Sequence, residues 1–477
     1  MVIDPISCYR ALSTHDARFD GRFFVGVSST RIYCRPVCRV RTPKADHCRY
    51  FPSAAAAEVA GYRPCLRCRP ELAPGYASVD ATGRLAEAAV AMIDGGVLED
   101  GGLEHLAGRL GVTSRHVRRI FERSFGVTPV EYAQTQRLLL AKRLLTDTTL
   151  PVTEVALASG FNSIRRFNAL WKQRYRMPPG RLRRESAATA APAVMRFELA
   201  YRPPYQWPAL LAFLAARAIA GVEDVRGNVY RRTVAIDHRE STHAGWIAVQ
   251  PSPRRPALVL EVAPTLARVV PLVLARVRHA FDLACHPDEI LAALGDLAAR
   301  SPGLRVPGTV DGFELAVRAV VGQQISVRAA RTLLGRIASR FGTPLEDAPE
   351  GLSRIFPPAQ RIAAAPPREL QALGVLPARA QTLVALARAV ASDGLDLTPG
   401  APLDATRARL LELPGIGPWT AEYIAMRALG WPDAFPAGDH AVQKALRTTR
   451  AAEAQARSQA WRPWRAYAVM HLWKGTT

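Results

Sequence analysis

The sequence predicts a multidomain, predominantly α-helical protein. It has a small α+β metal-binding module, an all-α double helix-turn-helix region, an α+β middle domain and an all-α C-terminal domain built around a helix-hairpin-helix. Three observations carry that reading. The chain has 477 residues, too many for one ordinary hydrophobic core, so two to four domains are expected. Apolar residues recur at helical spacing from Thr82 to Arg184 and again from Asp311 onward, interrupted by Gly and Pro. Four cysteines between Cys34 and Cys68 stand at metal-ligand spacing.

Net charge is +22, split as +12 over residues 1–190 and +10 over the remainder, so both halves can face one polyanion. An excess of this size points to nucleic acid, here double-stranded DNA, with an anionic membrane as the alternative. No apolar run is long enough to span a bilayer and the N-terminus lacks a signal peptide's apolar core, so a cytoplasmic protein without a membrane partner is expected. In a reducing compartment the seven cysteines point to metal or chemistry rather than disulfides. Cys8, Cys48 and Cys285 lie outside the pattern and read as ordinary small residues.

Residues 1–77 form the first expected domain. Cys34 and Cys38 have three residues between them, Cys65 and Cys68 two. Two short-spaced pairs joined by a longer loop are what a tetrahedral four-sulfur site needs, so one zinc ion is expected on Cys34, Cys38, Cys65 and Cys68. A redox dithiol at Cys65 and Cys68 is the alternative. From Arg31 to Arg69 nine Lys/Arg stand against two acids, Asp46 and Glu58, a setting for a metal centre that works against phosphate.

Residues 82–184 carry two helix-turn-helix patterns. In L-E-H-L-A-G-R-L-G-V-T-S-R-H-V-R-R-I-F, Gly111 provides the turn, Thr113 or Ser114 caps the second helix, and Arg115, Arg118 and Arg119 face outward with His116. In V-T-E-V-A-L-A-S-G-F-N-S-I-R-R-F-N-A-L-W-K, Gly160 is the turn and Arg165 and Arg166 are outward. Residues 185–194, rich in Ala, Ser, Thr and Pro, read as a linker. Over 195–306 the pattern mixes, with strands expected at 229–237 and 257–262 and helices at 207–219 and 265–281.

Residues 307–477 contain L-E-L-P-G-I-G-P-W-T-A, a helix-hairpin-helix whose Gly415 and Gly417 let backbone N–H groups approach a DNA phosphate. Downstream, Asp439 follows Gly438. An Asp there often only caps a helix, but 20 residues after such a hairpin it reads as a catalytic carboxylate.

Three resemblances sharpen these expectations. The Y-C-R-P-V-C-R and G-Y-R-P-C-L-R-C-R-P stretches resemble the N-terminal domain of the Ada-type alkylation-response proteins. That implies a zinc centre that is structural and reactive, with Cys34 accepting a methyl group irreversibly from a DNA methylphosphotriester. The two-motif array, with F-G-V-T-P-V-E-Y and Y-R-M-P-P-G-R-L-R, resembles the AraC-type DNA-binding domain, which implies transcriptional activation with RNA polymerase as a partner. Residues 196–474, through Y-R-P-P-Y-Q-W, F-L-A-A-R-A-I, V-V-G-Q-Q-I-S-V and R-P-W-R-A-Y-A-V-M-H-L-W, resemble bacterial 3-methyladenine DNA glycosylase II of the helix-hairpin-helix superfamily.

The last resemblance implies hydrolysis of the N-glycosidic bond of alkylated purines, with Asp439 as catalytic residue and Trp419, Tyr423 and Trp473 around the base. Trp419 stands where lyase relatives carry a lysine, so a monofunctional enzyme is expected. Gln323 and Gln324 fall on the V-G-Q motif, whose following residue enters the gap left by the flipped nucleotide; Gln324 and Ile325 compete for that place. The Pro-Cys-His-Arg signature of O6-methylguanine repair is absent from the sequence. The alternative reading is a transcription factor with a catalytically inactive glycosylase-like module; the intact Asp439, Trp419 and hairpin glycines favour the enzyme.

Overall fold

A computed structural model describes residues 4–74, 81–148, 150–185, 194–238 and 241–475. The expected linker, 185–194, falls almost wholly outside them. The chain divides into two compact units: Met1–Pro203 with Ser252–Ala275 and Leu283–His286, and Pro204–Pro251 with Arg276–Asp282 and Pro287–Thr477. No described helix is long and apolar enough to cross a membrane.

The first unit opens with a four-stranded sheet in the order β3-β1-β2-β4, formed by Phe24–Val27 (β1), Ile32–Cys34 (β2), Cys48–Phe51 (β3) and Arg63–Pro64 (β4). β1 pairs antiparallel with β2 and β3, and β2 pairs parallel with β4. The β1–β2 register sets Cys34, at the end of β2, opposite Val25, and Phe24 of β1 and Tyr33 of β2 are buried. Helix α1 (Ala54–Val59) follows β3, and the Ser53 hydroxyl caps it by accepting the Ala56 N–H at 3.0 Å.

The helical region behaves as its capping signals direct. α2 (Gly102–Arg109) turns at Gly111 into α3 (Ser114–Phe125), which Thr113 caps. α3 buries Val117, Ile120, Phe121 and Phe125 on one face, at the spacing of an amphipathic helix. α4 (Pro129–Asp147) starts from a complete capping box between Thr128 and Glu131. α5 (Val152–Ala158) turns at Gly160 into α6 (Ile164–Tyr175), capped by Ser163 and buried through Phe167, Trp171 and Tyr175. Gly111 and Gly160 have φ of +67° and +81°, the left-handed conformation such turns require. β5 (Met195–Ala200) pairs antiparallel with the strand Ala257–Val262 in the same unit.

The second unit begins with α7 (Trp207–Arg217) and the antiparallel strands β6 (Glu223–Arg226), β7 (Val229–His238) and β8 (Ser241–Pro251). Its core is helical: α8 (Gly312–Val321), α9 (Val327–Phe341), α10 (Pro377–Ala391), α11 (Leu403–Glu412) and α12 (Pro418–Arg427) bury residues such as Leu315, Ile337, Leu386, Leu410 and Ile424 together. Each such side chain taken from water contributes about 1.5–3 kcal/mol. α13 (His440–Ala445) and α14 (Arg465–Lys474) pack against each other. The helix expected over 265–281 is a 3₁₀ turn, Pro264–Val269, running into the helix Val270–Ala280.

Candidate metal centre and candidate active site

The four sulfurs of Cys34, Cys38, Cys65 and Cys68 lie within 4.8 Å of one another, and all four thiols are free. A tetrahedron with Zn–S bonds of about 2.3 Å has sulfur–sulfur edges of about 3.8 Å, so the cluster fits zinc with small adjustment. The Cys65–Cys68 pair is held from outside. The backbone N–H of Arg35 donates to Cys68 Sγ at 3.4 Å and its guanidinium donates to the Cys68 carbonyl at 3.2 Å while pairing with Asp20. The buried ammonium of Lys142, on α4, donates to the Cys65 carbonyl at 3.3 Å and to Glu71 at 2.8 Å.

The sulfurs differ. The Arg35 amide is directed at Cys68, and such a bond drains charge from a thiolate. Among the described residues no backbone N–H donates to Cys34 Sγ. Exposure runs the other way: Cys34 is buried, whereas Cys68 is partly open.

Arg115, Arg118 and Arg119 project from α3 into solvent, as do Arg165 and Arg166 from α6. His116 is half-buried beside Arg119, 2.9 Å from its guanidinium.

In the second unit Gln323, Gln324, Gly417, Trp419, Tyr423, Asp439 and Trp473 all line one cleft of about 1010 Å³. α12 supplies Trp419, Tyr423 and Arg427 at i, i+4 and i+8, one face of a helix. Asp439 stands at the N-cap of α13 and does cap it, accepting the Val442 N–H at 3.0 Å through Oδ1. The same oxygen accepts Trp473 Nε1 at 3.0 Å, and Oδ2 accepts Trp419 Nε1 at 2.9 Å. Capping and a place in the cleft are thus not alternatives. Trp419 stacks on Tyr423 at 5.2 Å, and Tyr423 lies 6.3 Å from Trp473.

Three residues that sequence reading did not single out complete this cluster. Phe213, on α7, stacks on Trp473 at 6.4 Å and 11°. Arg217 lies 3.7 Å from the Phe213 ring, and Arg427 lies 5.0 Å from Phe213 and 5.3 Å from Tyr423. Arg427 also donates to the Tyr423 hydroxyl at 2.5 Å. Burial opposes ionisation of that phenol, but the Arg427 and Arg217 guanidiniums outweigh it and hold the group below its usual value. The i, i+4 relation of Phe213 and Arg217 was the available signal. With two guanidiniums among the rings, any pull on a cationic base comes from Asp439 and the indole faces.

The hairpin is tied to the cleft. The Gln323 side-chain amide donates to the Gly415 carbonyl at 3.0 Å and to Thr420 Oγ1 at 2.9 Å, and the Arg379 guanidinium donates to the Gln323 carbonyl. Next along the chain, Gln324 is exposed with φ of +53°, while Ile325 packs against the helical core.

Comparison with known proteins gives four family matches that together span most of the chain: the metal binding domain of Ada over residues 7–71, a helix-turn-helix domain over 106–185, the AlkA N-terminal domain over 196–311, and the HhH-GPD superfamily of base excision DNA repair proteins over 317–466. The chain is 40% identical over 484 residues to a probable bifunctional transcriptional activator/DNA repair enzyme AlkA of Mycobacterium tuberculosis, covering 98% of this chain and 95% of that one. It is 38% identical over 277 residues to DNA-3-methyladenine glycosylase 2 of Escherichia coli, covering 58% of this chain and 96% of that one. A solved 3-methyladenine DNA-glycosylase from Archaeoglobus fulgidus shares the fold at a TM-score of 0.50 and 23% identity, over 59% of this chain and 98% of that one.

Proposed function

Because the chain belongs to the family of AlkA-type bifunctional transcriptional activators and DNA repair enzymes, we propose that it excises alkylated purines from DNA and couples DNA methyl damage to transcription. In this reading residues 1–77 accept methyl groups, 82–184 bind promoter DNA, and 195–306 with 307–477 form the glycosylase. The observation that carries it is the Asp439 carboxylate, held by two tryptophan N–H groups at the mouth of an aromatic cleft beside a helix-hairpin-helix.

A base must leave the duplex stack to reach such a cleft. Gln324, exposed on the rim, is suited to fill the gap it leaves. Alkylation at N3 or N7 makes the purine a good leaving group, so the enzyme needs little general acid. Asp439 stabilises the positive charge developing on the sugar and orients the attacking water. Trp419 offers no amine, so the product is an intact abasic strand. Gly415 and Gly417 bring the hairpin backbone against a phosphate, a contact without base identity.

In the first unit, zinc when bound keeps the cysteine sulfurs deprotonated. Cys34 Sγ then attacks the methyl carbon of a methylphosphotriester; the S–C bond forms, the C–O bond breaks, and an ordinary phosphodiester anion departs. Cys34, unlike Cys68, carries no amide donor among the described residues, which supports its being the acceptor rather than Cys68. Methylation removes one negative charge from the cluster, which weakens its repulsion of a phosphate about 4–8 Å away by roughly 2–4 kcal/mol at an effective dielectric near 20, before salt screening. Arg115, Arg118, Arg119, Arg165 and Arg166 supply contacts to DNA, and RNA polymerase is the partner in activation. The test is incubation with methylated duplex, scoring released 3-methyladenine and 7-methylguanine and the mass of the Cys34 peptide. Methyl uptake without base release would leave a regulator with an inactive glycosylase module.

A further inference from the structure

The metal module touches both helix-turn-helix motifs, and it does so from the two ends of one short helix. At the start of α1 the Ser53 hydroxyl donates at 2.6 Å to the carbonyl of Phe125, the last residue of α3. Five residues on, Glu58 is fully buried. It accepts the Tyr33 hydroxyl at 3.0 Å, and its other oxygen lies 3.4 Å from Arg174 Nε in the last turn of α6. Tyr33 immediately precedes the metal ligand Cys34.

A third attachment runs to α4, the helix joining the two motifs. Lys142 holds the Cys65 carbonyl and Glu71, and Arg69 pairs with Asp147 at 2.7 Å. The loop bearing Cys65 and Cys68 is therefore fastened to the connecting helix, while α1 is fastened to the C-terminal end of each outward-facing helix.

We propose that the metal module is a brace that fixes α3 and α6 relative to one another, with Ser53 and Glu58 as positioning residues for DNA reading, so that integrity of the cysteine centre is expressed as the geometry of the reading head. This rests on α3 and α6 being DNA-recognition helices but needs no methyl transfer. A small metal module draws its folding free energy from the metal, so metal loss should release both joints together.

Hydrogen exchange on the full-length, zinc-loaded protein tests this without DNA, so failure of the brace and failure of DNA reading are separate results. The measurement is made at pH 8, above the value of about 7 to which burial pushes the Glu58 carboxyl against the pull of Arg174. Removing zinc with a chelator is expected to speed exchange at least tenfold in the last turns of both α3 and α6, leaving α10 in the other unit unchanged. Glu58→Gln, which keeps an acceptor for Tyr33 but removes the charge facing Arg174, is expected to loosen α6 alone. Ser53→Ala is expected to loosen α3 alone. Protection indifferent to chelation, or two variants that loosen both helices equally, would overturn the brace.

Discussion

A Cβ on Gly415 would lie 2.2 Å from the Thr382 hydroxyl. Thr382 is buried on α10, and Gly415 has φ of +80°, so both space and backbone exclude a side chain there. Gly417, two residues on, has φ of −95° and nothing within 4 Å of its would-be Cβ. The two hairpin glycines therefore do different things. Gly415→Ala is expected to cost about 1–3 kcal/mol of stability, read in thermal unfolding. Gly417→Val is expected to leave unfolding unchanged and to weaken binding to damaged and undamaged duplex alike, read by fluorescence anisotropy.

Asp439→Asn is expected to lower the rate of base release by about 10²–10³-fold, since it removes charge needed in the transition state. The amide keeps one acceptor for Val442 and Trp473 but turns a donor toward Trp419 Nε1. DNA binding should stay within about twofold. Full activity of this variant, or a borohydride-trapped adduct with the wild type, would show that the catalytic group lies elsewhere.

Cys34 and Cys68 make opposite claims on the methyl group, one by its bare sulfur and the other by its exposure. The expected outcome with methylphosphotriester DNA is a single added methyl on Cys34, with none after Cys34→Ser. Peptide mass spectrometry decides; a methyl on Cys68 would mean that access outweighs nucleophilicity in this cluster.

Gln324→Ala is expected to slow excision more for an alkylated purine in a fully paired duplex than for one opposite a mismatch, because a mismatched base is already easier to extrude. Single-turnover rates on the two substrates give the ratio. Equal slowing would show that Gln324 does not stabilise the extruded state.

His279 sits behind the cleft, its ring Nε2 donating to the Arg427 carbonyl at 3.0 Å, and burial holds its pKa down to about 4. His471 is lowered similarly, by burial and then by Lys474. A histidine whose folded value is depressed destabilises the fold as pH drops, because the unfolded chain takes up its proton first, near 6.5. The second unit is expected to lose about 3 kcal/mol per histidine between pH 6.5 and 4. Denaturant unfolding of the wild type and of His279→Gln over that range should show a shallower fall in the variant.

Much of this was legible in the chain. Cysteine spacing picked out the four residues whose sulfurs come together, and turn glycines with capping residues placed α3 and α6. The P-G-I-G hairpin and Asp439 located the cleft. Other parts were hidden for physical reasons. β8 is ambiguous, since its apolar and polar residues do not alternate and pairing rather than local pattern makes it a strand; β5 does alternate from Met195 to Leu199, but the run is short. Phe213 and Arg217 lie about 200 residues from Trp419, and nothing local says that a helix so distant closes the same cluster. The buried contacts of Lys142 and Glu58 were likewise invisible, since a charged residue on a helix ordinarily reads as solvated.

One carboxylate oxygen of Asp439 serves a helix and an indole at once. It cannot rotate toward a substrate without surrendering the first turn of α13. Its direction is thus set when the protein folds, not when DNA arrives. In the proposed glycosylase the field at the sugar is then preorganised, and the motion left for bond cleavage belongs to the extruded nucleotide and the water rather than to the enzyme's charge.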